Sequence, residues 1–294
     1  MAHKSGFVNI IGNPNVGKST IMNVLVGERL SIITSKMQTT RHRIKGIVNG
    51  DDFQIVYSDT PGILKPNYKL QETMMKFVNT ALIDADVILY VTDVIESPGK
   101  NEEYVERIKS SEAAVIVLIN KIDLSTQEKV LELYNYWSEK LPLASVYAIS
   151  ATEKFNTGPI FDRILELLPE GPAYFPKDEL TDRNERFFVS EIIREKILLN
   201  YDKEVPYSVE VEVEQFKEEE NILNLMCVIH VNRDSQKGII IGHQGKALKK
   251  VGTEARIDLE EFFQKKVFLQ IYVKVNKDWR EKDRSLSGFG YDME

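Results

Sequence analysis

An eight-residue run near the start of the chain limits its fold more than anything else in the sequence. Gly12-Asn13-Pro14-Asn15-Val16-Gly17-Lys18-Ser19, followed by Thr20, meets the pattern G-x-x-x-x-G-K-[ST] at every fixed position. Such a loop works only between a buried strand and a helix. Its glycines let main-chain N–H groups close around phosphate oxygens, and the helix N-terminus adds a favourable field. Residues 6–12 (Gly-Phe-Val-Asn-Ile-Ile-Gly) read as the strand, and an apolar-periodic helix is expected from Lys18 to Leu25. Lys18 then places a positive charge at the β- and γ-phosphates, and Ser19 offers a hydroxyl to Mg²⁺.

The rest of the chain supplies the layers this loop needs. Apolar runs at 53–58, 86–92, 113–119 and 145–149 read as further strands, with helical patterns at 69–82, 101–111, 126–140 and 158–168. Strands that are apolar throughout and alternate with helices predict an α/β domain, its mostly parallel sheet covered by helices on both faces, over residues 1–170. Pro169, Gly171, Pro172 and Pro176 then crowd together, so 171–182 is expected to be an interdomain linker. Over 183–294 the pattern becomes helix (183–199), strand (207–216), strand (223–231), two helices (235–241 and 245–264) and strand (267–275), an α+β module. In the first of those strands Val209, Val211 and Val213 alternate with Glu210, Glu212 and Glu214, which predicts one wet, acidic face.

Three more motifs follow strands in the order a nucleotide site requires. Asp59-Thr60-Pro61-Gly62 comes directly after the second strand, 53–58. Asp59 is placed to hold the Mg²⁺ shell, and Gly62 can offer its N–H to the γ-phosphate and sense its loss. Asn120-Lys121-Ile122-Asp123 decides between the purines. Asp123 can accept from both N1–H and the exocyclic amine of guanine, and adenine would leave that carboxylate unpaired. Lys121 would lie over the base, Asn120 would fix the loop, and Ser150-Ala151 would present main-chain N–H to guanine O6. Between the first two motifs lies Gln38-Thr39-Thr40-Arg41-His42. One of its threonines should close over Mg²⁺ and the γ-phosphate, and the sequence leaves Thr39 and Thr40 equivalent. Lys18, the two threonines and Gly62 are therefore the expected catalytic groups, and GTP/GDP with Mg²⁺ the expected ligands. The residue after Gly62 is Ile63, which cannot orient an attacking water, so slow intrinsic hydrolysis is expected.

Bulk composition narrows the setting. A net charge of −7 means that any nucleic-acid contact must come from a local basic face. A lone cysteine, Cys227, in an apolar run suits a reducing compartment. There is no signal-peptide pattern at the start and no uninterrupted apolar stretch long enough to span a bilayer, so a cytoplasmic, monomeric protein is expected. One basic stretch does stand out. Gly242-His243-Gln244-Gly245 is flanked by Lys237, Lys246, Lys249 and Lys250, with no acid from 235 to 253. Glycines that admit a backbone and lysines that neutralise phosphates suit single-stranded RNA, and Ile239, Ile240 and Ile241 are candidates to line a groove for its bases.

That loop in an α-β-β-α-α-β order resembles a type II KH domain, and a P-loop GTPase followed by such a domain resembles the Era GTPase family. Pro14 to Thr20, Gln38-Thr39-Thr40-Arg41-His42-Arg43 and Val273-Lys274-Val275-Asn276-Lys277-Asp278-Trp279-Arg280 carry the resemblance, which spans about 6–291. It implies binding of 16S ribosomal RNA near its 3′ end, a role in maturation of the small (30S) ribosomal subunit, and peripheral contact with the inner face of the cell membrane. Resemblance to GTPases with a hydrophobic residue at the Ile63 position also implies K⁺ held by Asn15 as a charge stabiliser. The tail Leu286-Ser287-Gly288-Phe289-Gly290-Tyr291 and Thr152 depart from the family pattern, the former expected to lie far from any contact named above. An RNA-modifying enzyme would need catalytic groups that the second domain lacks, and a non-hydrolysing scaffold would be excluded by K⁺-dependent turnover.

Overall fold

The computed structural model describes residues 2–291; residue 1 and residues 292–294, at the outer ends of the two expected domains, lie outside the described residues. The chain forms two compact units. The first holds residues up to Pro66 together with Met74–Asp182, and the second holds Asn67–Thr73 together with Arg183 onward.

In the first unit the order is β1 (Lys4–Gly12), α1 (Lys18–Val26), β2 (Ile44–Asn49), β3 (Phe53–Asp59), α2 (Lys69–Ile83, whose residues up to Thr73 count with the second unit), β4 (Val87–Asp93), α3 (Glu102–Lys109), β5 (Ala114–Asn120), α4 (Gln127–Lys140), β6 (Ser145–Ala148) and α5 (Gly158–Leu167). The strands pair in the order β2-β3-β1-β4-β5-β6. All neighbours are parallel except β2 against β3. Val8, Ile10, Ile55, Val87, Leu89, Ile116 and Leu118 are fully buried. Burial on both sheet faces is why these strands read as unbroken apolar runs. The chain runs outward from β1 in both directions, so the carboxyl ends of β1, β3 and β5 flank the crevice where ligands bind in such sheets.

Two features differ from the sequence expectation. The strand β2 is absent from it, because Lys45 and Gly46 interrupt the apolar pattern. Pairing with β3 from Ile44↔Asp59 to Asn49↔Gln54 makes it an edge strand nonetheless. The 171–182 segment is not a free linker. It is hydrogen-bonded along the sheet of the first unit, through Ser5 Oγ to Pro172 O (2.6 Å), Ile47 N to Leu180 O (2.8 Å) and Thr181 Oγ1 to Lys45 O (2.7 Å). Prolines favour an extended chain, and an extended chain can bond to an edge as readily as it can bridge domains.

The second unit contains α6 (Glu185–Asn200), β7 (Val209–Glu218), β8 (Ile222–Val231), α7 (Asp234–Ile241), α8 (Lys246–Phe263), β9 (Lys266–Val275) and α9 (Asp283–Gly288). Its sheet has the order β7-β8-β9, antiparallel in the first pair and parallel in the second. Ile193 and Ile197 of α6, Ile240, and Val251, Ala255 and Leu259 of α8 pack with Val209, Leu225, Cys227 and Ile229 into one core. Burial pushes the Cys227 thiol up to about 12, which leaves it inert.

The acidic face of β7 is only partly wet. Glu210 is buried and accepts a hydrogen bond from Tyr291 Oη at 2.6 Å. The tail therefore packs on the sheet. Phe289 lies against His230 and Trp279, with ring centroids 5.0 and 5.5 Å apart. Of the three isoleucines expected beside the basic loop, Ile240 is core and Ile239 is half exposed.

Candidate functional site

The helix α1 begins where the β1 run ends, and the loop between them wraps back over Lys18. Lys18 is buried, and its Nζ donates to Gly12 O (3.1 Å) and Asn13 O (2.8 Å). Burial pushes its ammonium down to about 8, against the pull of Asp59 and Glu96. A cation so poorly solvated has much to gain from an incoming phosphate.

Beside it three oxygen-bearing side chains from three elements converge. Ser19 Oγ and Thr40 Oγ1 lie 2.9 Å apart, and both are within hydrogen-bond reach of Asp59 Oδ2, at 2.7 and 3.0 Å. The other carboxylate oxygen, Asp59 Oδ1, is buried without a hydrogen-bond partner among the described residues. Burial raises the Asp59 carboxyl, and Lys18 and the neighbouring hydroxyls lower it in part. A desolvated carboxylate with an unspent oxygen and two hydroxyls alongside is a donor set that fits a hard divalent cation. Thr39 is elsewhere. Its Oγ1 donates to Lys36 O and meets Thr34 Oγ1, both at 2.6 Å. A cavity of about 270 Å³ opens over this trio, lined among others by Pro14, Thr34, Gly62 and Lys121.

Gly62 approaches the phosphate loop so closely that a Cβ there would lie 2.7 Å from Pro14 Cα and N. The neighbouring Ile63 is buried, and its N–H donates to Gly12 O at 3.1 Å. Main-chain contact of this kind lets two loops move as one.

The β5 end ties the site to its far wall. Asn120 Nδ2 donates to Val16 O (2.9 Å), and Asn120 Oδ1 accepts from Ala151 N (3.0 Å). One side chain thus joins the phosphate loop to the Ser150-Ala151 turn. Lys121 Nζ donates to Asn15 O (2.5 Å) and pairs with Asp93 at 2.6 Å. Asp123 lies on the short turn after β5, and Asn15 is exposed with φ near 65°.

Sequence reasoning missed a second set of groups behind the phosphate loop. Asn13 Nδ2 donates to Glu96 Oε2 (2.6 Å), Thr92 Oγ1 donates to Glu96 Oε1 (2.8 Å), and Asn101 donates to Asn13 Oδ1. Asp93 Oδ1 accepts from Ile95 N and Glu96 N, each at 2.9 Å. Glu96 and Asn101 belong to no fixed-spacing motif, and only the β4–α3 loop brings them to Asn13.

In the second unit Gly242 and Gly245 have φ of 72° and 75°, and Gln244 has 53°. A Cβ on Gly242 would strike Ala247 Cβ at 2.6 Å, whereas Gly245 faces open space. The first glycine closes the turn and the second leaves room for another backbone. Around it His243, Gln244, Lys246, Lys249 and Lys250 are exposed, and Lys237 is partly so. An adjoining groove is lined by Leu248, Gly252, Leu269 and Ile271, with Lys249 and Arg256. The apolar wall therefore comes from α8 and β9 and not from the isoleucine run.

Fold and site together set the class: a P-loop GTPase that carries a KH domain. Residues 7–121 match the family model described as a 50S ribosome-binding GTPase, and residues 204–280 match that of the KH domain. The GTPase Era of Clostridium perfringens (strain 13 / Type A) is 43% identical over 290 residues, covering 98% of each chain. That of Geotalea daltonii is 45% identical over 290 residues, again 98% of each. Two crystal structures are similar throughout, at TM-score 0.94 and 39% identity, covering 99% of this chain and 100% of theirs. One is Era in complex with MgGDPNP and nucleotides 1506–1542 of 16S ribosomal RNA; the other is an Aquifex aeolicus Era variant bound to GDP·AlF4⁻. The chain belongs to the Era GTPase family.

Proposed function

We propose that this protein is a cytoplasmic, monomeric GTP-driven switch that binds 16S ribosomal RNA near its 3′ end and acts in maturation of the 30S subunit, touching the inner face of the membrane only peripherally. The observation that carries the RNA reading is the basic turn at Gly242–Gly245, open at Gly245 and continuous with an apolar groove. No helix among the described residues is long and apolar enough to cross a membrane.

In this reading the main chain from Gly12 to Thr20 surrounds the phosphates, and Lys18 neutralises them. Ser19 and Thr40 would hold Mg²⁺, with Asp59 behind them; the bound ion supplies charge neutralisation on the phosphates. The convergence of Thr40 on Ser19 and Asp59 supports Thr40 over Thr39 for this role. Gly62 N–H senses the γ-phosphate, Asp123 reads guanine, and the N–H of Ala151, held through Asn120, serves O6. With a buried Ile63 directly after Gly62, where a water-orienting glutamine would otherwise stand, K⁺ at Asn15 supplies the missing positive charge. Turnover should then rise by about tenfold or more when K⁺ replaces Na⁺, and Asn15→Ala should abolish that difference; a rate indifferent to the cation would refute the K⁺ assignment.

RNA binding is tested by fluorescence anisotropy with a single-stranded oligonucleotide from the 16S 3′ end, with GDP against a non-hydrolysable GTP analogue. The expected result is tighter binding with the analogue and its collapse in a variant carrying His243→Asp and Gln244→Asp. Binding indifferent to nucleotide and variant would leave a GTPase with a different partner.

A further inference from the structure

The strand β9 has two faces of different character. Leu269, Ile271 and Val273 point toward the helices and pack on the core, and the first two also line the groove beside the basic turn. The alternate residues Phe268, Gln270, Tyr272 and Lys274 point the other way, with Lys266 at the start of the same row. Phe268 is 51% exposed and Tyr272 52% exposed, although aromatic rings on a sheet are ordinarily covered. Neither is packed beneath the tail, whose Phe289 lies against His230 and Trp279.

The charge around these rings is one-sided. From Lys265 to Lys277 there are four lysines and no acid, in a chain of net charge −7. Lys265 is held by Glu218 at 2.5 Å, and Glu260 is close enough to Lys266 for that ammonium to help lower its carboxyl. The acids of the same sheet face, Glu210 and Glu212, sit on β7, across β8 from β9, and are engaged by Tyr291 and His230. The free edge of the sheet therefore presents cations and bare aromatic rings, and the far edge presents carboxylates.

From this we infer that the outward face of β9 is a second single-stranded RNA contact, with bases stacked on Phe268 and Tyr272 and phosphates met by Lys266 and Lys274. Base stacking on exposed rings tolerates any sequence, and nearby lysines supply the backbone term. The rings are four residues apart on an extended strand, about 13 Å, so they engage separate nucleotides. Because one strand supplies both the groove wall and this face, RNA leaving the groove reaches it by passing round the β9 edge. The inference rests on the reading of the second unit as RNA-binding, and the test separates the two.

The probes are two single-stranded oligonucleotides from the 16S 3′ end. One is just long enough to fill a KH groove, about four nucleotides, and the other is extended at both ends. Phe268→Ala and Tyr272→Ala should each weaken the long probe about tenfold and leave the short one unchanged. Phe268→Tyr and Tyr272→Phe, which keep a ring, should restore the affinity, and Trp279 fluorescence should report the same fold in all four. Lys266→Gln with Lys274→Gln should flatten the salt dependence of the long probe only. A 4-thiouridine-substituted long probe should cross-link to the β9 peptide. If wild type binds both probes and the alanine variants lose nothing, this face is not an RNA contact. It is equally not one if the variants lose association with the small subunit while long-probe affinity holds, which marks a protein partner instead. If wild type binds neither probe, the RNA reading of the whole unit falls, and this inference falls with it.

Discussion

Thr39 and Thr40 are adjacent and chemically identical, yet the fold gives them opposite work. Thr40 is buried against Ser19 and Asp59, whereas the Thr39 hydroxyl is spent on Lys36 O and Thr34 within its own loop. Thr40→Ala should therefore weaken the GTP analogue in Mg²⁺ by roughly 10- to 100-fold, the effect of losing a hydrogen bond to a charged centre. GDP affinity should change far less, and Thr39→Ala should leave both within about threefold. Titration with fluorescent nucleotides decides it, and a larger loss in the Thr39 variant would reverse the assignment. Lys18 yields a pH dependence. Its ammonium is pushed down to about 8 by burial, from an ordinary value of 10.5. Between those limits the unfolded chain binds more protons than the nucleotide-free fold, so stability of the free protein rises with pH across that window. Bound phosphates restore the charge, so nucleotide binding above about pH 8 must take up a proton. Affinity for GDP should fall by up to about tenfold per pH unit from there. Calorimetry in two buffers of different ionisation enthalpy at about pH 8.5, above the lowered value, should give a positive proton uptake, and buffer-independent heats would contradict it.

At the scale of elements, the strap 171–182 shows how far one buried side chain can organise a loop. Gln54 in β3 is fully buried. Its Oε1 accepts from Tyr174 N (2.7 Å) and Phe175 N (2.9 Å), and its Nε2 donates to Phe175 O (2.8 Å) and Asn49 Oδ1 (2.8 Å). Gln54→Ala strands those main-chain groups and should cost the first unit about 2–3 kcal/mol. It should also open the strap to protease, readable as faster cleavage within 171–182 at unchanged nucleotide affinity. The strap marks one boundary of what sequence can convey. Elements whose apolar pattern is local were legible: every helix but the short α9 and all the central strands fall within a few residues of where periodicity puts them. What escaped depends on partners distant in sequence. The edge strand β2 is defined by its ladder to β3, since Lys45 and Gly46 hide its pattern. Glu210 looks like a wet residue until Tyr291, far along the chain, lies over it. Asn13, Glu96 and Asn101 are ordinary polar residues until the β4–α3 loop folds over the phosphate loop. The groove wall is misread for the same reason: the isoleucine run is locally conspicuous, but α8 and β9 are what meet beside the turn.

For the molecule as a whole, the two tryptophans fall one to each unit. Trp137 is buried in the first, in edge contact with Tyr90 at 5.2 Å between centroids. Trp279 is buried in the second, its Nε1 donating to Ser208 O at 3.0 Å. Every residue lining the nucleotide cavity belongs to the first unit, and the second has a hydrophobic core of its own. A ligand stabilises only the structure that forms its site, by about 2.7 kcal/mol at a hundredfold excess over Kd. For a unit of this size that is a rise of about 5–10 °C in its midpoint. GDP should therefore raise the melting transition seen by Trp137, measured in a Trp279→Phe variant, and leave the one seen by Trp279, measured in a Trp137→Phe variant, nearly in place. Contact of Trp279 with the Phe289 ring makes its replacement by Phe the milder of the available changes, and circular dichroism at the two midpoints controls for any shift the substitution itself causes. Equal movement of both reporters would mean that the units unfold as one, and that nucleotide binding acts directly on the stability of the KH unit. Movement of Trp137 alone would mean that GDP binding passes no stabilisation free energy to the second unit.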